Sequence, residues 1–129
     1  LYLAEKGLIK VFEGSEKVRV TLGSLRRRAR KIHEEFDLKY AVYKDLRDRG
    51  LIATPGIKFG CDFAVYEHGP GIDHAPFMVS VKKRKDEMTA TEMVKAGRLA
   101  TTVKKRFIIA VPDLNADRIE FLIFKWFKA

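Results

Sequence analysis

The chain has 129 residues, 47% of them hydrophobic and 33% charged, which suits one compact domain with a fragment of a second and excludes a disordered chain. No apolar run approaches the roughly 18 residues that a membrane helix needs, so no membrane partner is expected, and no secretory signal is read. A net charge of +9 with pI near 9.8 favours polyanionic partners, nucleic acid first, and the single Cys61 forbids an internal disulfide and fits a reducing, cytoplasmic setting.

In chain order, residues 1–11 read as the end of an amphipathic helix with Gly7 near its C-cap, and a short strand follows at 18–21. Ser24 is placed to cap a basic helix opening Leu25-Arg26-Arg27-Arg28, broken around Glu35-Phe36-Asp37. A second helix is expected over 38–49, with Tyr40, Val42, Tyr43 and Leu46 as its buried stripe and Gly50 as its stop. After Pro55-Gly56 the period changes to two. Phe59, Cys61, Phe63 and Val65 are expected on one face, and Lys58, Gly60, Asp62, Ala64 and Tyr66 on the other. Residues 67–75 form a Gly/Pro-bearing loop, 77–81 a strand, and Lys82-Lys83-Arg84-Lys85 a charge run. Thr89-Ala90-Thr91-Glu92 has capping-box spacing and opens a helix. A buried strand at 106–111, a turn at 112–117 and a final strand at 118–128 complete an α/β chain with a mixed sheet.

Three groups of residues could carry chemistry. Tyr66 ends a strand on its polar side beside a flexible loop; the ordinary role there is a rim tyrosine with a wet hydroxyl. His74 closes the same loop and can move a proton near neutrality, although a loop histidine commonly makes only a hydrogen bond. His68 competes with it, while His33 sits in the basic helical region. Thr91, Lys95, Arg98, Thr102 and Lys105 fall on one face at helical spacing, a cationic stripe suited to phosphate or simply to solvent.

Asp62, Glu67, Asp73 and His74 could in principle gather a metal ion. A restriction-type nuclease needs a second acid two positions before the lysine of the next strand, and Ser80-Val81-Lys82 lacks it, so neither metal nor cofactor is expected. RNA permits metal-free cleavage. Its 2′-hydroxyl attacks the neighbouring phosphorus, a base takes the proton, an acid protonates the leaving 5′-oxygen, and a cation stabilises the phosphorane.

Tyr40-Ala41-Val42-Tyr43-Lys44-Asp45-Leu46-Arg47-Asp48-Arg49-Gly50, then Gly56-Ile57-Lys58-Phe59-Gly60-Cys61-Asp62-Phe63-Ala64-Val65-Tyr66, His74-Ala75-Pro76-Phe77 and the segment from Arg98 to Lys105 together resemble the tRNA-splicing endonuclease family. The likeness runs from about Leu38 to the C-terminus. It implies a restriction-endonuclease-like catalytic domain over 35–129, preceded at 1–34 by the tail of a small N-terminal α/β domain with a linker helix. It implies metal-independent excision of introns from precursor tRNA at bulge–helix–bulge sites, leaving 2′,3′-cyclic phosphate and 5′-hydroxyl ends. By position Tyr66 matches the general base, His74 the general acid and Lys105 the stabilising lysine, with Lys104 the competing choice and otherwise an RNA contact. Arg98 matches an arginine that holds bulged RNA, and Trp126 stands where many relatives have a second. Homo- or hetero-oligomers would form through the acidic loop bearing Asp113 and Asp117 and the final strand bearing Phe121 and Ile123. The alternative is a non-catalytic structural or RNA-positioning subunit; a metal-dependent DNA nuclease is a third, weaker option.

Overall fold

The structure, a computed structural model, describes residues 1–125. It divides into two units, Leu1–Asp37 and Leu38–Ala129.

In the first unit, helix α1 covers only Tyr2–Glu5. It ends at the expected cap: Gly7 takes φ +73°, and the Gly7 and Leu8 N–H groups donate back to Ala4 and Leu3, so the stretch on to residue 11 is not helical. Strands β1 (Phe12–Glu13) and β2 (Val18–Arg19) form an antiparallel hairpin. Helix α2 (Leu22–Ile32) begins one turn earlier than the sequence suggests: Thr21, not Ser24, is the N-cap, and its hydroxyl accepts the Ser24 N–H at 3.2 Å. The arginine run of α2 is largely turned to acids within its own unit. Arg26 meets Glu5 at 2.7 Å, Arg28 meets Glu13 at 2.6 Å and Arg30 meets Asp37 at 2.9 Å. The hydrogen bond and charge of Arg28 hold the Glu13 carboxyl below its usual range.

The second unit is a five-stranded mixed sheet with a helix on each face. Helix α3 is Phe36–Asp48, and its expected stop is confirmed: Gly50 at φ +85° donates to Arg47, and Leu51 to Leu46. The sheet runs β3 (Ile52–Pro55), β4 (Phe63–Tyr66), β5 (Phe77–Val81), β6 (Arg106–Asp113), β7 (Arg118–Ile123), neighbour to neighbour. Only β5 and β6 are parallel, joined by helix α4 (Ala90–Thr102). The alternation of β5 and β6 sorts the core into two layers. Val79, Ile108 and Ala110 pack with Val42, Leu46 and Val65 on the α3 side; Met78, Phe107 and Ile109 pack with Ala100 on the α4 side. That double burial explains why Phe107-Ile108-Ile109-Ala110 reads as an unbroken apolar run. Pro112 is tolerated because β5 has ended: pairing with β5 stops at Ala110, leaving Pro112 only its β7 partner Ile119.

The period-two pattern over 58–66 is a false signal in its first half. Residues Ile57–Phe59 form a 3-10 helix, and the strand begins only at Phe63. Phe59 and Cys61 pack on the α4 layer while Phe63 and Val65 belong to the α3 layer, so the four do not share a face. Strand β3, unanticipated, pairs with β4 from Ile52 opposite Tyr66 to Pro55 opposite Phe63. The final strand covers Arg118–Ile123, and Phe124 and Lys125 lie outside it; the rest of the expected span, 126–128, falls outside the described residues.

Candidate active site

The β4–β5 connection carries two of the three central side chains. Tyr66 is the last residue of β4, and His74 lies eight residues on, three before β5 opens at Phe77. The third, Lys105, sits between α4 and β6. Helix α4 starts where the sequence places it, with Thr89 accepting the Glu92 N–H and Glu92 accepting the Thr89 N–H. It ends at Thr102, so Lys105 is not on its helical face and the expected continuous stripe through Arg98 and Lys105 does not form. A turn fixes Lys105 instead: Lys104 takes φ +55° and donates to Thr101, and the Lys105 N–H donates to Ala100. The Lys105 ammonium then donates to the Ala75 carbonyl, beside His74, and lies 5.1 Å from the centre of the Phe59 ring.

Tyr66, His74 and Lys105 line one cleft of about 350 Å³, with Lys58, Phe59, Gly71, Ile72, Asp73 and Ala75 as its other walls. His74 is exposed, and Tyr66 and Lys105 are half-buried. Among the described residues, neither the Tyr66 hydroxyl nor the His74 ring has a hydrogen-bond partner, so both are open to a ligand. Lys58 shares the cleft with Tyr66 as expected, though it reaches it from the 3-10 helix; Phe59, expected on the opposite face, is there too. A larger groove of about 470 Å³ runs along α4, lined by Met93, Val94, Phe107 and Phe124 among others, and has only Lys105 in common with the cleft.

The candidate metal ligands do not assemble. Among the described residues no three His, Cys, Asp or Glu side chains are placed to hold an ion. Asp62 is committed elsewhere: its carboxylate accepts the Val81 N–H at 2.7 Å and meets the Lys39 ammonium at 3.4 Å, tying the start of β4 to the end of β5. Asp73 accepts three backbone N–H groups, from Gly69 at 2.7 Å, Glu67 at 3.1 Å and His68 at 3.3 Å. Burial alone would raise the Asp73 carboxyl, but those N–H groups and the nearby His68 outweigh it and hold the group below the usual carboxylate range. Burial pushes the Cys61 thiol up.

The family model for the catalytic C-terminal domain of tRNA intron endonuclease matches residues 36–121. This chain belongs to that family. Over 128 residues, 99% of this chain and 70% of the relative, it is 44% identical to the tRNA-splicing endonuclease of Hyperthermus butylicus. Over the same span and shares it is 40% identical to the tRNA-splicing endonuclease of Saccharolobus islandicus and 38% identical to that of Saccharolobus solfataricus. The five-stranded mixed sheet with flanking helices is the architecture expected of the family's catalytic domain.

The other residues singled out by the family resemblance lie outside the cleft. Arg98 is exposed on α4, and Lys104 is exposed at the helix end; neither lines the cleft walls. Trp126 falls outside the described residues. Asp113 closes β6 and its carboxylate accepts the Asn115 and Ala116 N–H groups, which shapes the turn; Asp117 sits at φ +48° on the turn's far side. Phe121 is half-buried and Ile123 is 51% exposed on β7. Sequence reasoning passed over Asp73 except as a metal ligand. The available signal was its place after Gly69-Pro70-Gly71-Ile72, where an Asp side chain commonly bonds to nearby backbone.

Proposed function

We propose that this chain is a metal-independent endoribonuclease that excises introns from precursor tRNA at bulge–helix–bulge sites, leaving 2′,3′-cyclic phosphate and 5′-hydroxyl ends. The observation that carries the reading is the meeting of Tyr66, His74 and Lys105 in one cleft of about 350 Å³. In this reading Tyr66 takes the proton from the attacking 2′-hydroxyl, and His74 returns one to the departing 5′-oxygen. The Lys105 ammonium stabilises the negative charge that builds on the phosphorane oxygens. Lys58 and Lys105 share the cleft with Tyr66 and bring positive charge to it, as a site for a phosphate group requires. The internal nucleophile removes the need for an ion to generate one, and the commitment of the Asp62 and Asp73 carboxylates to backbone N–H groups agrees with that.

Arg98, Lys104 and Trp126 serve the RNA outside the reacting centre, Arg98 and Trp126 on bulge bases and Lys104 on the phosphate backbone. Residues 1–34 are the tail of an N-terminal domain, and residues 35–129 the nuclease. Subunits pair through Asp113, Asp117, Phe121 and Ile123, as a homo- or hetero-oligomer.

The test is cleavage of a bulge–helix–bulge RNA in excess EDTA, comparing the wild-type chain with His74→Ala. The expected result is cutting to cyclic-phosphate ends by the wild type and a loss of about 10²–10⁴-fold in the variant, the usual contribution of a positioned acid. Cutting that requires Mg²⁺, or a variant as fast as wild type, would overturn the mechanism.

A further inference from the structure

We propose that Asp73 is the positioning residue of this site: by clasping the backbone at 67–69 it sets the separation of Tyr66 and His74. The inference rests on the functional reading above and extends it to a residue with no part in the chemistry itself.

The argument is one of chain connectivity. Tyr66 is anchored, because it pairs with Ile52 as the end of β4. His74 belongs to the connecting loop and has no strand pairing to hold it. Two residues stand directly between these side chains and the clasp: Glu67 follows Tyr66, and Asp73 precedes His74. The Asp73 carboxylate accepts the Glu67 N–H, so the loop is closed at the two positions next to the catalytic pair. The His68 and Gly69 N–H groups complete the set, with Gly69 making the shortest contact on the second carboxylate oxygen. The Gly69 carbonyl in turn accepts the N–H groups of Ile72 and Asp73, and Pro70 bridges to Asp73. Gly69 at φ +137° and Gly71 at φ +84° permit the turn that brings the ends together. On the other side of His74, Lys105 holds the Ala75 carbonyl. His74 is therefore held at both neighbours while its own ring stays open, which is what a proton donor in a fixed place requires.

Geometry of this kind matters because a displacement of about 1 Å can cost a reaction on the order of 10²-fold. A carboxylate is suited to the task, since it accepts from several N–H groups at once and the hydrogen bonds are charge-assisted. An asparagine in its place keeps one acceptor oxygen and offers the Glu67 or Gly69 amide an unfavourable NH₂. It is expected to fall between aspartate and alanine.

The experiment compares wild type, Asp73→Asn and Asp73→Ala on three readouts. One is the single-turnover cleavage rate of the bulge–helix–bulge RNA. Another is Kd for the same RNA made uncleavable by 2′-deoxy substitution at the cut sites. The last is amide hydrogen exchange at residues 67–69 and in strands β5 and β6. The expected result is a rate loss of about 10–100-fold for alanine, a smaller loss for asparagine, and Kd within about threefold of wild type. Exchange should quicken at 67–69 while β5 and β6 stay protected. Should alanine lose protection in the strands as well, Asp73→Asn decides by the same measures. A variant that cuts within twofold of the wild-type rate, or whose loss is all in Kd, overturns the positioning role. A wild-type chain that protects those amides yet cuts no RNA overturns the functional reading, and the positioning role with it.

Discussion

At residue 104 the backbone takes φ +55°, a left-handed conformation that costs a residue with a Cβ about 1 kcal/mol. The helix-ending turn needs that conformation, and at the corresponding place after α3 the chain uses Gly50. Lys104→Gly is therefore expected to stabilise the protein by about 0.5–1 kcal/mol, part of the gain being offset by the freedom glycine adds to the unfolded chain. Thermal melting should show a Tm higher by about 2–3 °C, with cleavage reduced no more than a few-fold, the weight of a single charge outside the cleft. Lys105→Ala is expected to lose about 10²–10³ in kcat, the scale of one electrostatic contact to a developing charge. Equal losses for the two would show that the cleft position of Lys105 is not what counts. Family resemblance favours Lys105 and leaves Lys104 as the competing choice, and the helical spacing that set Lys105 apart does not hold, because the helix ends before both. Only the turn tells them apart, sending one side chain to solvent and the other to the Ala75 carbonyl.

At the scale of elements, the connection from β3 to β4 is the part that sequence patterning misjudged. Its packing gives the clearest stability prediction. Gly56 has ordinary φ, so its need is for space: a Cβ there would stand 2.5 Å from Cys61 Sγ, 2.8 Å from the Cys61 carbonyl oxygen and 3.0 Å from the Phe63 carbonyl carbon. Two of those three atoms are backbone and cannot rotate away. Gly56 also accepts the Phe59 and Cys61 N–H groups and donates to Asp62, so any shift disturbs the 3-10 helix that presents Lys58 and Phe59 to the cleft. Gly56→Ala is expected to destabilise by about 1–3 kcal/mol, the range for overpacking a tight site. Urea unfolding with an unchanged m-value would measure it, and a loss under 0.5 kcal/mol would mean the turn can open without cost. The same region shows the limit of reading periodicity. Phe59, Cys61, Phe63 and Val65 alternate because the 3-10 helix with its exit turn delivers the first two to one core layer and strand β4 delivers the last two to the other, not because they line one strand face. Strand β3 went unseen because four residues ending in proline carry too little pattern. Elements with local punctuation were legible: the Thr89 capping box, the Gly50 stop and the apolar β6 run each stand where the sequence puts them. Tyr66, His74 and Lys105 were singled out as a set only through family resemblance; their meeting in one cleft depends on a parallel β5–β6 pair and a helix end that no local pattern encodes.

For the whole molecule, the sheet's last strand raises the question of what covers it. Strand β7 pairs with β6 along its inner side, and its outer edge has no strand partner among the described residues. Leu122 is 53% exposed and Ile123 51%, and Phe121 and Ile123 border an apolar cleft of about 240 Å³ with Leu46, Leu51 and Phe77. An apolar edge left open is a site for pairing with another chain. Excising an intron takes two cuts, and a two-fold assembly presenting two copies of the cleft is the simplest geometry that serves both. Ile123→Lys places a charge at the end of that edge, beside the apolar cleft, and leaves Tyr66, His74 and Lys105 untouched. The expected outcome in sedimentation is an oligomeric wild type and a variant whose association is weaker by about 30-fold or more, the effect of losing a contact worth roughly 2 kcal/mol. Cleavage by the variant should fall with dilution and recover at high protein concentration, since the cleft itself is intact. A variant that sediments like the wild type would place the interface on another surface, and a wild type that is monomeric yet cuts both sites would show that one cleft serves them in turn.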